Sequence, residues 1–223
     1  MRDLSAAWLL PSQREGTFAH PREAALMGDE WKTLPDLLGS GPLDLILVGI
    51  NPSRYAVEKG HYFARPHNRF WPAFTRSRLS RPLREALGIE RVDPRHDVEF
   101  PRFGLGLTDV VKRPTAKASE LTPEDYRLGV PRLSERLARH PARIVCFQGL
   151  TGYRAFLEHA LGRKPRRVLA GRQGLTLAGA EVWVLPNPSG ANAHARLEDL
   201  VAWQDLLAEA LGRGPRRGDP PDP

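Results

Sequence analysis

The sequence predicts an α/β fold, a three-layer sandwich in which a short, mainly parallel central sheet is flanked by helices. Short apolar runs at Leu43–Ile50, Leu105–Val111, Ile144–Phe147 and Val182–Leu185 read as strands, and the first and last are nearly continuous in apolar residues, as strands buried on both faces are. Helical spacing fills the intervals, at Asn68–Arg78, Pro123–Arg139, Thr151–Leu161 and Leu197–Leu211, so strand and helix alternate along the chain. A length of 223 residues with 41% hydrophobic content is enough for one well-buried core. The single domain is placed at residues 41–212. Residues 1–40, with a helical pattern from Pro21 to Leu38, read as a peripheral extension without evident chemistry. Residues 213–223, made of Gly, Pro and charge, read as a disordered tail.

Composition narrows the function classes. Lys and Arg total 33 against 26 Asp and Glu, a formal charge of +7, which favours a polyanionic partner such as nucleic acid. Cys146 is the one cysteine, so an intrachain disulfide, a Cys-rich zinc site and a four-cysteine iron–sulfur cluster are excluded. Its setting, Arg-Ile-Val-Cys-Phe, is that of an inert thiol in a buried strand. No metal and no organic cofactor are expected. Nothing approaches the ~18 apolar residues of a membrane span, and the first residues lack a signal-peptide pattern, so a protein of the reduced cytoplasm with no membrane partner is expected, and a monomer is taken as the default. Neither a dinucleotide-binding G-x-G-x-x-G nor a P-loop opens a helix after a strand, and the His-x-Glu and Cys-x-x-Cys ligands of zinc deaminases are missing.

In parallel sheets ligands sit beyond the carboxyl ends of the strands, and the unusual segments fall there. Gly49-Ile50-Asn51-Pro52-Ser53 follows the first strand, a carboxamide in a proline-stiffened turn. An isolated Asn-Pro is most simply a turn former. Asn187-Pro188-Ser189-Gly190 follows the last strand in the same way, and two such strand-end turns point to one shared site, with Asn51 facing the cleft. Between them, Gly60-His61-Tyr62-Phe63-Ala64-Arg65-Pro66-His67-Asn68-Arg69-Phe70-Trp71 mixes aromatic, basic and amide side chains, a composition suited to a flipped nucleotide. Phe70 and Trp71 read as core residues of a helix capped near Asn68. For Phe63, in the loop itself, stacking on a base and packing stand side by side.

Gly-Ile-Asn-Pro, Gly-His-Tyr-Phe-Ala, Asn-Arg-Phe-Trp, Gly106-Leu107-Thr108-Asp109, Arg113-Pro114-Thr115 and Leu-Pro-Asn-Pro-Ser-Gly occur in consistent order from about Leu43 to Leu207. In this set the chain resembles the mismatch-specific uracil-DNA and thymine-DNA glycosylases, a branch of the uracil-DNA glycosylase superfamily. The resemblance implies a hydrolase of base excision repair, acting on double-stranded DNA that carries a flipped uracil or a mismatch; no Schiff-base lysine is evident in the motif loops, so a monofunctional enzyme with water as nucleophile is expected. It further implies that Asn51 orients the attacking water, that Phe63 stacks on the extruded base, and that groups around Ile50 and Asn68 read the base. Ala56 would lie beside the pyrimidine C5 position, and Asn187, Ser189, Gly190, Ala191, Asn192 and His194 would form the loop that wedges into the duplex.

The chain departs from that pattern in three places. Asp109 ends a strand where the mismatch-specific enzymes do not usually carry a carboxylate, and it either acts near the anomeric carbon, as general base for water or as stabiliser of the oxocarbenium-like sugar, or forms an ion pair with Lys112 or Arg113. The small Ala56 leaves room for C5-modified bases, though Tyr55 and Val57 flank it. The wedge is small at Ala191 and Ala193, with Asn192 and His194 as partial substitutes. Arg65, Arg69 and Lys112, with Arg54, Lys59 and Arg113, are expected to cluster on one face and contact phosphates. A binding protein without chemistry would need neither Asn51 nor Asp109, which separates that reading from an enzyme.

Overall fold

A computed structural model describes residues 31–192 and 195–213. Five strands, β1 (Leu43–Gly49), β2 (Leu105–Asp109), β3 (Ala142–Gln148), β4 (Gly171–Leu177) and β5 (Ala180–Leu185), form one sheet in the order β2-β1-β3-β5-β4. All neighbours are parallel except the edge strand β4, which runs antiparallel to β5. Among the described residues the α-helices are α1 (Arg54–Lys59), α2 (Phe70–Arg76), α3 (Arg81–Leu87), α4 (Pro123–Arg139), α5 (Leu150–Leu161) and α6 (Leu197–Ala210).

The three layers follow from the strand period of two. Leu45 and Leu47 of β1 enter one apolar cluster with Phe70, Phe74 and Leu207, whereas the alternate residues Ile46 and Val48 enter a second with Val130, Leu133 and Phe156. Successive side chains of a strand point to opposite faces, so β1 must be apolar throughout to serve both layers. Close approach sets some of the glycines. A Cβ on Gly129 of α4 would press on the Val110 carbonyl, so the helix can lie against the end of β2 only without a side chain there.

The four expected strands and four expected helices are present, all with shifted ends except α4, which keeps the expected Pro123–Arg139. The helix expected at Asn68–Arg78 begins at Phe70, whose N–H is capped by Asn68 Oδ1 at 2.9 Å, and stops at Arg76. Strand β4 escapes the apolar-run criterion because only Leu175, Thr176 and Leu177 are buried, the half of the edge strand nearest its hairpin turn at Ala178-Gly179. Helix α1 is only six residues long, too short to show an apolar stripe; Ser53 Oγ caps it by accepting from Ala56 N at 3.1 Å.

The N-terminal expectation is corrected. Residues 31–38 are not helical, and Leu37 forms a two-way antiparallel bridge with Leu107 of β2, both bonds 2.9 Å. Pro35 interrupts any helix there, and Leu34 and Leu38 are buried in the core. Residues 21–30 lie outside the described residues. The described part of that segment, residues 31–40, is therefore part of the domain rather than peripheral to it, and the rest of the expected extension, residues 1–20, likewise lies outside the described residues. At the other end Arg213 is also tied down, donating to Asp44 Oδ2 and to the Phe103 carbonyl, and the remainder of the expected tail lies outside the described residues.

Candidate active site

The first Asn-Pro-Ser turn starts where β1 ends, and the ladder continues beyond the strand: Val110 N donates to the Gly49 carbonyl and Val111 N to the Ile50 carbonyl, both at 2.9 Å. The Ile50 carbonyl is thus occupied by backbone. The Asn51 carboxamide spends its Nδ2 on the Thr115 hydroxyl (2.8 Å), the Arg113 carbonyl (2.9 Å) and the Pro52 carbonyl (3.2 Å). That fixes the amide plane and its orientation. Its oxygen has no partner among the described residues, so it is the acceptor that remains for a water or a substrate.

Asp109, in register with Gly49, is 3% exposed and lies against that glycine, where any Cβ would collide with Asp109 Oδ1. The glycine of the Gly-Ile-Asn-Pro turn is what lets the carboxylate sit beside β1. The ion pairs expected as the bland alternative do not form. Lys112 Nζ pairs with Asp36 Oδ1 at 2.9 Å, and Arg113 makes a bidentate pair with Asp125 at 2.6 and 2.7 Å. Asp109 Oδ2 is buried with no hydrogen-bond partner among the described residues. Burial pushes its carboxyl up to about 6; Lys112 and Arg136 pull the other way and Asp36 adds to the rise.

The aromatic loop is held from below. Asp97, 1% exposed, accepts from Tyr62 N at 2.8 Å and faces His61 Nδ1 at 2.9 Å. The Tyr62 hydroxyl donates to the Pro35 carbonyl at 3.0 Å, and Trp71 Nε1 donates to the Tyr62 carbonyl at 2.9 Å. With Tyr62 tied at both ends, Phe63 takes the left-handed backbone conformation, φ +54°, which costs a non-glycine residue about 1–2 kcal/mol. The ring is half-buried and stacks on Phe70 (centroids 4.2 Å apart, 25° between planes), which stacks in turn on Phe74 at 5.7 Å. Phe63 is therefore both packed and placed at the outer end of an aromatic stack, so the two readings of it are compatible.

The second turn docks on this loop. Arg69 N donates to the Pro188 carbonyl at 2.9 Å, and the Arg69 guanidinium reaches the carbonyls of Ser189 (2.8 Å), Asn192 (2.6 Å) and Ala195. A Cβ on Gly190 would stand 2.7 Å from the His67 carbonyl oxygen. Asn187 Oδ1 accepts from Ser189 N at 2.9 Å, and Asn192 Nδ2 donates to the Asn187 carbonyl at 2.9 Å, so both amides close the loop on itself. Gly149 and Gly152 at the start of α5 bridge the two turns: a Cβ on the first would press on Asn187 and on the second on Ile50. Among the described residues of the loop, Gly190 and Ala191 are exposed.

Several site expectations are corrected by these contacts. Arg69 is a clamp for the 188–195 loop, because its donors are turned onto backbone carbonyls rather than outward, and Lys112 is turned inward to Asp36 and the Tyr62 hydroxyl. With Arg113 also neutralised, half of the expected basic cluster is spent internally; Arg54, Lys59 and Arg65 remain exposed, Arg65 leaning on the Ala116 carbonyl at 2.7 Å. Asn192 is not available as a wedge, and His194 and Ala193 lie outside the described residues. Ala56 is 4% exposed and packs in the core cluster, so its methyl borders apolar side chains. Asn68 caps α2 through its oxygen and keeps its amide N–H groups. Cys146 is fully buried, with its thiol pushed up by burial.

Four residues of the site were missed in the sequence. Thr115 stood inside the Arg-Pro-Thr motif and offered a signal. Asp36, Asp97 and Arg136 offered none, since each reaches the site from a distant part of the chain.

The family model of the uracil DNA glycosylase superfamily matches residues 38–207, most of the chain, from before β1 into α6. The chain belongs to the uracil DNA glycosylase superfamily. It is also similar in fold to a protein from Methanosarcina acetivorans whose solution NMR structure presents it as a candidate uracil DNA glycosylase, with 21% identity, 81% of this chain and 98% of that chain covered, and a TM-score of 0.51. Within the superfamily fold, both Asn-Pro-Ser turns and Asp109 stand at the carboxyl ends of β1, β2 and β5, the edge where such sheets bind ligands. Membership places the chain among DNA glycosylases of repair. Among the described residues no helix is long and apolar enough to cross a membrane.

Proposed function

We propose that the protein is a monofunctional, mismatch-type uracil-DNA glycosylase that hydrolyses the N-glycosidic bond of a uracil flipped from duplex DNA, with Asp109 as general base and Asn51 orienting the water. The observation that carries this reading is a buried carboxylate without a cation or hydrogen bond on Oδ2, set against Gly49 two residues before an Asn whose only uncommitted atom is an acceptor oxygen. Water gives its proton to Asp109, its oxygen bonds to the anomeric carbon, and the carbon–nitrogen pair leaves with the base as an anion that then takes up a proton. The base stacks on the outer face of Phe63, and the shared Phe63–Phe70 stack gives that platform rigidity. A carboxylate base supplies more drive than an amide that only positions water, so bases with poorer leaving-group character, thymine among them, fall within reach. The enzyme works as a monomer on DNA in the cytoplasm, and Ala191 provides a minimal wedge.

The test is single-turnover release of uracil from a duplex with a central U·G pair, comparing wild type with Asp109→Asn at matched folding. Release that falls about 10²-fold or more in the variant supports a catalytic carboxylate. Equal rates would reduce Asp109 to a structural residue, and no release from uracil or thymine substrates would leave a protein that binds DNA without chemistry.

A further inference from the structure

Asp36 belongs to the segment that precedes the family match at residue 38, and its side chain reaches under the site. Its Oδ1 accepts from the Thr108 hydroxyl at 2.7 Å and from Lys112 Nζ at 2.9 Å, and its Oδ2 lies 3.3 Å from Arg136 Nε. Arg136 donates from Nη2 to the backbone carbonyl of Asp109 at 2.7 Å, so it touches the peptide of that residue and pairs with the carboxylate of another. Five elements face Asp109: Gly49 from β1, Lys112 from the turn after β2, Arg136 from α4, and Asp36 and Tyr62 from the two loops beneath. Both cations in that shell are held by Asp36, Lys112 with a second bond to the Tyr62 hydroxyl at 3.1 Å.

We propose that Asp36 is a positioning residue for the glycosylase reaction: by holding Lys112 and Arg136 in ion pairs of its own, it keeps Asp109 an unpaired carboxylate ready to take the proton of the attacking water. The inference rests on the reading of Asp109 as the base. An ammonium on a four-carbon stem turns readily to the nearest free anion, and a buried carboxylate next to one would lose most of its proton affinity. Asp36 prevents that capture. It is itself held ionised, since Lys112 and Arg136 together outweigh the cost of its burial. Its negative charge also favours the protonated form of Asp109, in the same direction as burial. The bridge of Leu37 to Leu107 and the donation of Thr33 Oγ1 to the Lys112 carbonyl at 2.6 Å fix the segment that carries it.

The experiment follows the Asp109 carboxyl by carbon NMR titration in the full-length protein, alongside the pH profile of single-turnover uracil release. In Asp36→Asn, Lys112 is freed to turn to Asp109, and both midpoints are expected to fall by about one pH unit or more, with a plateau rate roughly tenfold lower. Lys112→Met, which leaves Asp36 in place and removes the captured cation, is expected to move both midpoints upward. The double variant is expected to return most of the way from the Asp36→Asn position. An unmoved titration in Asp36→Asn, or a double variant that matches Asp36→Asn, overturns the proposal. If Asp36→Asn does not fold, the sign of the Lys112→Met shift decides: upward supports it, no shift overturns it. Full activity in Asp109→Asn sinks the general-base reading instead, and the NMR midpoints, read without turnover, still judge whether Asp36 controls the carboxyl.

Discussion

Asn51 and Asn187 sit in the same tripeptide, Asn-Pro-Ser, after two parallel strands of one sheet, yet the fold uses them in opposite senses. Asn51 gives away its amide donors, to Thr115 and the Arg113 carbonyl, and keeps its oxygen. Asn187 gives away its oxygen, to Ser189 N within its own turn, and its backbone carbonyl goes to Asn192. An amide held by its donors from another segment is oriented toward whatever needs an acceptor; an amide that closes its own turn is scaffold. Which of the two a given Asn becomes depends on the partner across the cleft, and that partner for Asn51 stands 64 residues away in sequence.

The largest expected effect sharpens this contrast directly. Asn51→Ala should lower single-turnover release by about 10²–10³-fold, the scale of losing a placed polar group at the reacting centre. Asn187→Ala should cost less than about tenfold in chemistry and about 1 kcal/mol in thermal stability, from the lost side-chain turn bond. Comparable chemical losses would break the distinction between the turns.

The pH dependence comes next. Asp109 must be ionised to accept a proton, so the rate should fall about tenfold per pH unit below about 6 in wild type and in Asn51→Ala alike, and this limb should vanish in Asp109→Asn. Stability should run the other way. The carboxyl is held above its ordinary value of 3.8, so the folded state binds its proton more tightly than the unfolded chain does. The protonated form therefore stabilises at low pH, and that contribution is lost as pH rises through about 6. Asp109→Asn, freed of a buried charge, should gain up to about 3 kcal/mol over wild type at pH 8 and little at pH 4, measured by denaturant unfolding.

Phe63→Ala should weaken binding of uracil-containing duplex by about 1–2 kcal/mol while leaving undamaged duplex unaffected, because only an extruded base reaches the outer face of the stack. Equal losses on both duplexes would make the ring a packing residue alone. The smallest effect concerns two arginines of the aromatic loop. Arg65→Ala should flatten the salt dependence of binding by about 0.9 in log–log slope, the value of one phosphate contact. Arg69→Ala should loosen the 188–195 loop with the slope unchanged, since its guanidinium is occupied by carbonyls.

Much of the fold was legible because its cause is local. The apolar run of β1 follows from burial on both faces, and the extent of α4, from Pro123 behind its Thr122 cap to Arg139, follows from capping and periodicity. Strand β4 was not legible, since an edge strand with one half exposed carries no apolar run, and residues 31–38 misled because a helical spacing of apolar side chains was spent on an extended bridge to β2. The site divides similarly. Asn51, Asp109, Phe63 and the second turn lie in motifs dense enough to be singled out, whereas the roles of Arg69 and Lys112 depended on where their charges find partners.

The sequence by itself determined the layered α/β plan, the strand-end position of both turns and the presence of an amide and a carboxylate at one edge, because strand burial and turn chemistry are written in contiguous residues. Only the tertiary structure decided which side chains are free. Lys112 turned to Asp36, Arg113 to Asp125 and Arg69 to the carbonyls of the 188–195 loop, and Asp109 was left unpaired among the described residues, because pairing is settled by distance in space among groups up to 126 residues apart.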